Sequence, residues 1–178
     1  MTDELPQLRP ATNADLDALH ALVERAYRGD SARRGWSHEA DLLGGQRTDR
    51  NSLADSLRDP RQLLLIMLEQ GALIASVTLT DKGSGLAYLG MLAVDPTRQA
   101  TGIGRTMLAE AEAIARDQMG IVTMEMTVIA GRAELVAWYQ RRGYVLTGER
   151  RPFPATDARF GLPKRDDLEF VVLAKSLA

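Results

Sequence analysis

Apolar side chains recur along the chain at two spacings, and the spacing separates helices from strands. In TNADLDALHALVERAY, from Thr12 to Tyr27, the residues Leu16, Leu19, His20, Val23 and Tyr27 fall three and four apart. That predicts a helix with one apolar face, capped by Thr12 or Asn13. Helical spacing returns in DRNSLADSLRD, which stops before Pro60, and from Gly104 to Met119. RAELVAWYQRR is a fourth helix, and Gly143 ends it. Shorter runs rich in β-branched or continuous apolar residues predict strands. They are Leu5–Arg9, RQLLLIMLEQG, ALIASVTLTD, LAYLGMLAVD, IVTMEMTVI, YVLTGER and DLEFVVLAK. Two segments lack a period. RGDSARRGWSHEADLLGGQRTD, from Arg28 to Asp49, reads as mobile with a turn of helix at Glu39–Leu43, and PFPATDARFGLP reads as an irregular loop. Hairpins followed by a βαβαβ succession predict a mixed sheet with helices on its faces. No repeat or linker divides the chain, so residues 1–178 are expected to form one domain.

Composition narrows the class. The 178 residues are 45% hydrophobic and 26% charged, an ordinary soluble balance. A net charge of -2 gives no electrostatic case for nucleic acid as the main partner. The chain has no cysteine, which removes disulfides, thiolate metal sites and a thioester on the protein's own sulfur, and fits a reducing, cytoplasmic setting. MTDELPQLRPAT is acidic and lacks the apolar stretch of a signal peptide. The longest apolar run, Leu63–Leu68, is far too short to span a membrane. His20 is expected in the core and His38 at the surface, with no metal site.

Two stretches carry candidate chemistry. In VDPTRQATGIGRTML, Gly102 and Gly104 sit between a strand end and a helix start. The first turn of a helix leaves N–H groups without internal partners, and glycines let an anion approach them closely. The motif therefore fits a phosphate or pyrophosphate, and it equally fits a tight turn. It is not a P-loop, because no Lys-Ser or Lys-Thr follows, and Met107 stands where a dinucleotide fingerprint has its third glycine. The second stretch is AELVAWYQRRGYVLTGE. Tyr139 lies on a short helix there, and taken alone it reads as a half-buried aromatic with its hydroxyl in water.

Together the two stretches resemble the GNAT superfamily of N-acyltransferases. That family carries Gln/Arg-x-x-Gly-x-Gly/Ala after a strand, matched by Gln99, Gly102 and Gly104, and LAVDP ahead of it is similar to the family's strand and turn. Its second signature, a tyrosine on a short helix just before Gly-Phe or Gly-Tyr, is matched by Tyr139, Gly143 and Tyr144. Arg132 departs from the asparagine that the family often carries seven residues before the tyrosine. The resemblance implies an α/β (α+β) fold: a mixed, mostly antiparallel twisted sheet of about six or seven strands with helices on both faces. It implies acetyl-CoA as acyl donor, bound along the backbone of Leu92, Ala93 and Val94. The pyrophosphate is then expected on the N–H groups of Gln99, Ala100, Thr101, Gly102, Ile103, Gly104 and Arg105. Arg98 and Arg105 are either nucleotide-phosphate contacts or solvated surface, and surface is the favoured reading for Arg141 and Arg142. Tyr139 is expected to protonate the departing thiolate after direct attack by an amine in a ternary complex. The alternative is a non-catalytic acyl-CoA-binding sensor or interaction module of the same fold.

The acceptor side is less defined. The architecture implies entry opposite the cofactor, past Tyr27, Trp36, Glu39, Asp41, Arg47 and Phe153, which otherwise simply close a lid over the core. An aromatic and acidic lining suits a cationic amine, carried by a small molecule or a peptide. Neither nucleic acid nor membrane is an expected partner, and a homodimer is an open expectation. Some relatives place a glutamate base eleven residues ahead of the glutamine; that position is Tyr88, a poor base at neutral pH. Glu125, Glu39 and Asp41 are the remaining candidates for that role.

Overall fold

A computed structural model describes residues 5–28, 39–154 and 161–178. Strand β1 (Gln7–Pro10) leads through a 3₁₀ turn at Asn13–Asp15 into helix α1 (Leu16–Tyr27). The Asp15 carboxylate ties that entry, accepting from the Thr12 N–H at 2.7 Å and from Arg9 at 2.8 Å. A two-residue strand β2 (Leu43–Gly44) precedes α2 (Arg50–Arg58), which Asp49 caps by accepting from the Ser52 N–H at 2.7 Å. Next come β3 (Gln62–Glu69), β4 (Ala72–Gly83), β5 (Leu86–Val94), α3 (Ile103–Met119) and β6 (Thr123–Ile129). Then α4 (Ala133–Gln140), β7 (Val145–Pro152), β8 (Leu162–Pro163) and β9 (Glu169–Ser176) complete the described chain.

Seven strands form one sheet in the order β1-β3-β4-β5-β6-β9-β7, and β2 pairs with β8 separately. All neighbours in the large sheet are antiparallel except β5 and β6, joined by the α3 crossover. The mixed sheet matches the expected class. The βαβαβ succession does not extend to β7, because β9 inserts between β6 and β7 and pairs antiparallel with both. The last strand of the chain thus fills the position next to β6.

Both sheet faces are covered. On one, Leu65, Met67, Val77 and Leu89 pack with Met107, Leu108, Ala111 and Ala115 of α3 and with Tyr139 and Tyr144. On the other, Leu64, Ile66 and Ala93 pack with Leu16, Leu19 and Val23 of α1 and Leu53 of α2. Alternate residues of β3 enter opposite cores, which explains its unbroken apolar run.

Two irregularities open the sheet. On β4, Thr78 faces Gly90 but Ser76 faces Ala93, so β5 carries an extra residue there. Met91 absorbs it with a left-handed backbone, φ +48°. The β5–β6 ladder also stops after Leu86–Thr123, Ala87–Met124 and Tyr88–Glu125. Beyond that point the two parallel strands run on without pairing, and the gap between them is where the cavities lie.

Candidate active site

The chain leaves β5 through Asp95, whose carboxylate accepts from the Thr97 N–H at 2.9 Å and from Arg25 at 2.9 Å. It then turns sharply, with Ala100 at φ +65° and Gly102 at φ +90°. Gly102 occupies the N-cap of α3 in a left-handed conformation, which explains the glycine at that position. The first bond into the helix runs from the Thr106 N–H to the Gly102 carbonyl at 3.0 Å. The N–H groups of Ile103, Gly104 and Arg105 precede it and have no backbone acceptor among the described residues. At Gly104 a Cβ would make only ordinary contact, 3.5 Å from Val94 Cγ2 and 3.6 Å from Trp138 Cζ2, so the small residue leaves open space that a larger side chain would fill.

These groups border a cleft of about 820 Å³ between the start of α3 and helix α4. Leu92 and Val94 form one wall, Gln99–Gly102 with Gly104 the turn, and Leu135, Ala137, Trp138 and Tyr139 the other wall. Arg105, Arg141 and Arg142 also line it, with Glu134 the one carboxylate in the lining among the described residues. The Arg142 guanidinium stacks 3.6 Å over Trp138 and donates to the Trp138 carbonyl at 2.6 Å, while its buried Nε has no partner among the described residues. Burial, reinforced by the like charges of Arg141 and Arg105, pulls its pKa down from the ordinary value. Free helix-start N–H groups, a glycine that leaves the space between Val94 and Trp138 open and three clustered arginines fit a polyphosphate with a narrow arm.

Tyr139 is 6% exposed and borders both this cleft and a second cavity. Its ring is fixed edge-on against Trp138, centroids 5.0 Å apart, and Tyr144 at 5.7 Å. Tyr144 is anchored in turn, donating to Glu112 at 2.8 Å, which also accepts from Lys175 at 2.6 Å. The Tyr139 hydroxyl has no hydrogen bond within the described residues. Burial raises its pKa well above the ordinary value, with Tyr27 adding to the shift, so the phenol stays protonated and able to donate at neutral pH.

The second cavity, about 430 Å³, lies across the opened strands. Tyr27, Leu92, Leu135 and Tyr139 are common to both cavities. Tyr27 reaches from α1 and donates its hydroxyl to the Leu92 carbonyl beside the bulge; burial pushes its pKa up to about 12. Aromatic walls come from Tyr88, Phe153 and Phe170, the two phenylalanine rings 5.4 Å apart. The charged lining is Glu39, Arg47 and Arg132.

The candidate residues separate accordingly. Leu92, Val94, Gln99, Ala100, Thr101, Gly102, Gly104, Arg105 and Tyr139 all border the first cleft. The side chains of Ala93 and Ile103 do not: Ala93 faces the α1 core, and Ile103 packs into the α3 core, leaving only their backbones near the cleft. Tyr27, Glu39, Arg47, Tyr88 and Phe153 border the second cavity. Trp36 and His38 lie outside the described residues. Asp41 is a correction: it is exposed on the turn before β2 and borders neither cavity. Glu125 is another, since it points away to Arg151, 3.2 Å away, and lines neither cavity. Glu39 is clasped by Arg28 at 2.6 Å, with Arg47 at 3.9 Å and Arg132 at 3.8 Å. Among the described lining residues the charge is thus mainly basic, Arg47 and Arg132 against Glu39, rather than the acidic lining expected from the sequence. Tyr88 spends its hydroxyl on Thr127 Oγ1 at 2.6 Å, bridging β5 and β6 just where pairing ends. Arg98 pairs with Glu69 rather than entering the cleft, whereas Arg141 and Arg142, favoured as surface, line it.

A bulged strand thus diverges from its parallel neighbour, with a glycine-lined helix start on one side and a tyrosine bordering two cavities. Residues 17–144 match the Acetyltransferase (GNAT) family, and the chain belongs to that family. No curated protein sequence matches it. Solved structures share the fold. The ribosomal-protein-S18-alanine N-acetyltransferase from Escherichia coli is 19% identical, with a TM-score of 0.72 over 98% of this chain and 95% of its own. The ribosomal-protein-alanine N-acetyltransferase from Brucella melitensis is 22% identical, with a TM-score of 0.70 over 96% and 99%. YncA from Salmonella typhimurium, solved with its cofactor acetyl-CoA, is 19% identical, with a TM-score of 0.70 over 97% and 94%.

Proposed function

We propose that this chain is an N-acetyltransferase that moves the acetyl group of acetyl-CoA directly to an amine while both are bound. The observation that carries the reading is the Tyr139 hydroxyl: protonated, held by its neighbours' rings, without a partner among the described residues, and exposed to both cavities. Acetyl-CoA as donor is supported by family membership and by the fit of the first cleft. The Ile103–Arg105 N–H groups and the Arg105, Arg141 and Arg142 side chains would hold its phosphates, and the pantetheine arm would run along Leu92–Val94.

The chemistry follows from that seating. The amine nitrogen in the second cavity bonds to the acetyl carbonyl carbon, and the carbon–sulfur bond breaks. A backbone N–H at the β5 bulge stabilises charge developing on the acetyl oxygen. Tyr139 donates to the leaving sulfur; its raised pKa makes it a strong holder of its proton, so its aid is a hydrogen bond that strengthens as thiolate charge grows. The attacking nitrogen loses its extra proton to solvent, since Glu39 is engaged by arginines and Glu125 lies elsewhere. With no cysteine in the chain, an acyl-thioester on the protein is excluded as an intermediate.

Acetyl-CoA should raise Tm through preferential binding to the native state, and thiol release should appear with amine present. A thermal shift without turnover against any amine would return the chain to the alternative of a binding module. No shift at millimolar acetyl-CoA would overturn the reading altogether.

A further inference from the structure

Among the described residues, the second cavity is lined by more cations than anions: Arg47 and Arg132 against Glu39. Glu39 is its one acidic lining residue among those described. The shortest contact of that carboxylate is with Arg28 at 2.6 Å, a pair whose side chains are 5% and 13% exposed. Arg47 and Arg132 approach the same carboxylate only to 3.9 and 3.8 Å, beyond hydrogen-bond reach. Arg47 and Arg132 thus share with Arg28 a single carboxylate among the described lining residues, and neither makes a hydrogen bond to it.

Those charges are also sheltered. The Arg132 side chain is 11% exposed and that of Arg47 is 23% exposed. Burying a cation without a hydrogen-bonded counterion is costly, and a second anion would satisfy donors that the described residues leave open. Both arginines are held in position. Arg132 stands directly before α4, the helix that carries Tyr139. The Arg47 backbone N–H donates to Glu24 of α1 at 2.7 Å, and its guanidinium lies 5.2 Å from the centre of the Tyr27 ring. The hydroxyl of that same ring contacts the Leu92 carbonyl at the opening. The anion site is therefore one tyrosine ring away from where the two cavities meet.

We propose that the acceptor is a compact amine bearing its own carboxylate, an amino acid, with Arg47 and Arg132 as the specificity-determining pair that receives the carboxylate. The inference rests on the acetyl-transfer reading and names the substrate class for that site. A polyamine would bring positive charge against Arg47 and Arg132, and the pair would repel it. The apolar and aromatic walls, Leu89, Met91, Val128, Phe153 and Phe170, favour an apolar side chain on that amino acid. Fork-shaped guanidinium groups match a planar carboxylate, and they would equally receive another small oxyanion such as a phosphonate.

The test uses the full chain with acetyl-CoA and matched acceptors: L-phenylalanine, L-methionine and L-leucine, each against its carboxamide, with aminoalkyl phosphonates and spermidine alongside. Amidation lowers amine basicity and so supplies more free amine, which biases the comparison against the proposal. We expect kcat/KM for at least one free acid to exceed that for its amide by tenfold or more. Arg47→Gln and Arg132→Gln should each raise KM for the acid by about tenfold or more with a smaller change in kcat, as expected for a lost charge-assisted contact. They should leave the thermal shift with acetyl-CoA unchanged, and Arg47→Lys should restore part of the loss. A phosphonate preferred over the carboxylates, and lost in the same variants, would keep the site and exchange the oxyanion. Equal or better use of amides or spermidine by the wild type would overturn the proposal. So would a preference for acids that survives the Arg47→Gln/Arg132→Gln double substitution. A second readout separates this from failure of the catalytic reading: calorimetric binding of the same acids and amides to protein saturated with CoA. If no amine is acetylated but the acids bind in preference to their amides and lose that preference in the variants, the anion site stands and acetyl transfer falls. Acids and amides binding alike would overturn the anion site.

Discussion

Replacing Tyr139 with phenylalanine removes one oxygen and leaves the ring. The ring is held by edge contacts to Trp138 and Tyr144 that do not involve the hydroxyl. That hydroxyl has no hydrogen bond to lose within the described residues. A typical hydrogen bond contributes about 1 kcal/mol net. The hydroxyl opens on both cavities, so Tyr139→Phe should match the wild type to within about 1 kcal/mol. Activity should fall. A positioned general acid contributes about 10²- to 10⁴-fold, so kcat should drop by that factor, about 3–5 kcal/mol of barrier, with acetyl-CoA affinity unchanged.

Tyr144→Phe, on the adjoining ring, is the matched control. It removes a donor to Glu112 and leaves that carboxylate to Lys175 alone. The loss of a hydrogen bond to a charged acceptor should cost ~2 kcal/mol, roughly 4–8 °C in Tm, with kcat near wild type. Denaturant melts and single-turnover thiol release measure both quantities. If Tyr139→Phe destabilises the protein by more than about 1 kcal/mol, the hydroxyl has a structural partner and the argument from its freedom is wrong. If its kcat is unchanged, Tyr139 is not the donor to the leaving sulfur.

Three further outcomes are expected. Gly104→Val should abolish the acetyl-CoA thermal shift while folding normally, since its side chain would enter the cleft between Val94 and Trp138; Gly102→Ala should instead cost about 1 kcal/mol of stability through its left-handed backbone, its Cβ meeting nothing within 4 Å, and a reversed pattern would refute the division of labour. With an amine of high pKa, kcat/KM should climb close to tenfold per pH unit from pH 6.5 to 8.5, because no free carboxylate faces the acceptor among the described residues; a flat profile would reveal a base outside them. Burial holds Tyr27, Tyr139 and Tyr144 protonated above their ordinary pKa, so the stability they supply is complete below about pH 10 and is lost above it, at about 4 kcal/mol per pH unit between about pH 10 and 12, where all three ionise only on unfolding; Tyr139→Phe should lower that slope by about a third, and an unchanged slope would show that its phenol is not perturbed.

Period and breakers made most of the elements readable: the α1 stripe, the stop of α2 before Pro60, and Gly102 and Gly143 at opposite helix ends. Tyr139 became a candidate only beside the glycine motif, because a lone tyrosine on a short helix carries no signal of what its hydroxyl faces. Spatial order of strands is not written in periodicity, so the insertion of β9 beside β6 was not readable. Nor was the bulge at Met91, since a left-handed φ is normally marked by glycine or asparagine and a methionine there is dictated by the neighbouring strands. Glu39 and Asp41 stand two residues apart in a segment with no period, and nothing local decides that one faces the cavity and the other solvent. The sign of the acceptor cavity depends on Arg28, Arg47 and Arg132 converging on Glu39, and Arg132 comes from far along the chain.

The opening between β5 and β6 accounts for both cavities at once. A parallel pair needs a crossover, and the crossover here is α3, whose start lies at the C-terminal end of β5 where its free N–H groups face the gap. Were β6 to stay paired beyond Glu125, the strands would close over that helix start and the first cleft would lose its wall. The bulge at Met91 shifts the register of β5 against β4 and presents the Leu92 carbonyl, which Tyr27 takes up from the opposite helix layer. The lining then divides by face. Gly104 and Arg142 meet only the first cleft, Arg47 and Arg132 only the second, and Tyr27, Leu92, Leu135 and Tyr139 both. Substitutions in the first two sets should therefore change the affinity for one ligand each and combine additively. Substitutions in the shared set should alter the coupling between ligands or the step that joins them. A double-mutant cycle between Gly104 and Arg132 that departed strongly from additivity in binding would mean that the two cavities are one site, and that Tyr139 does not stand at a boundary.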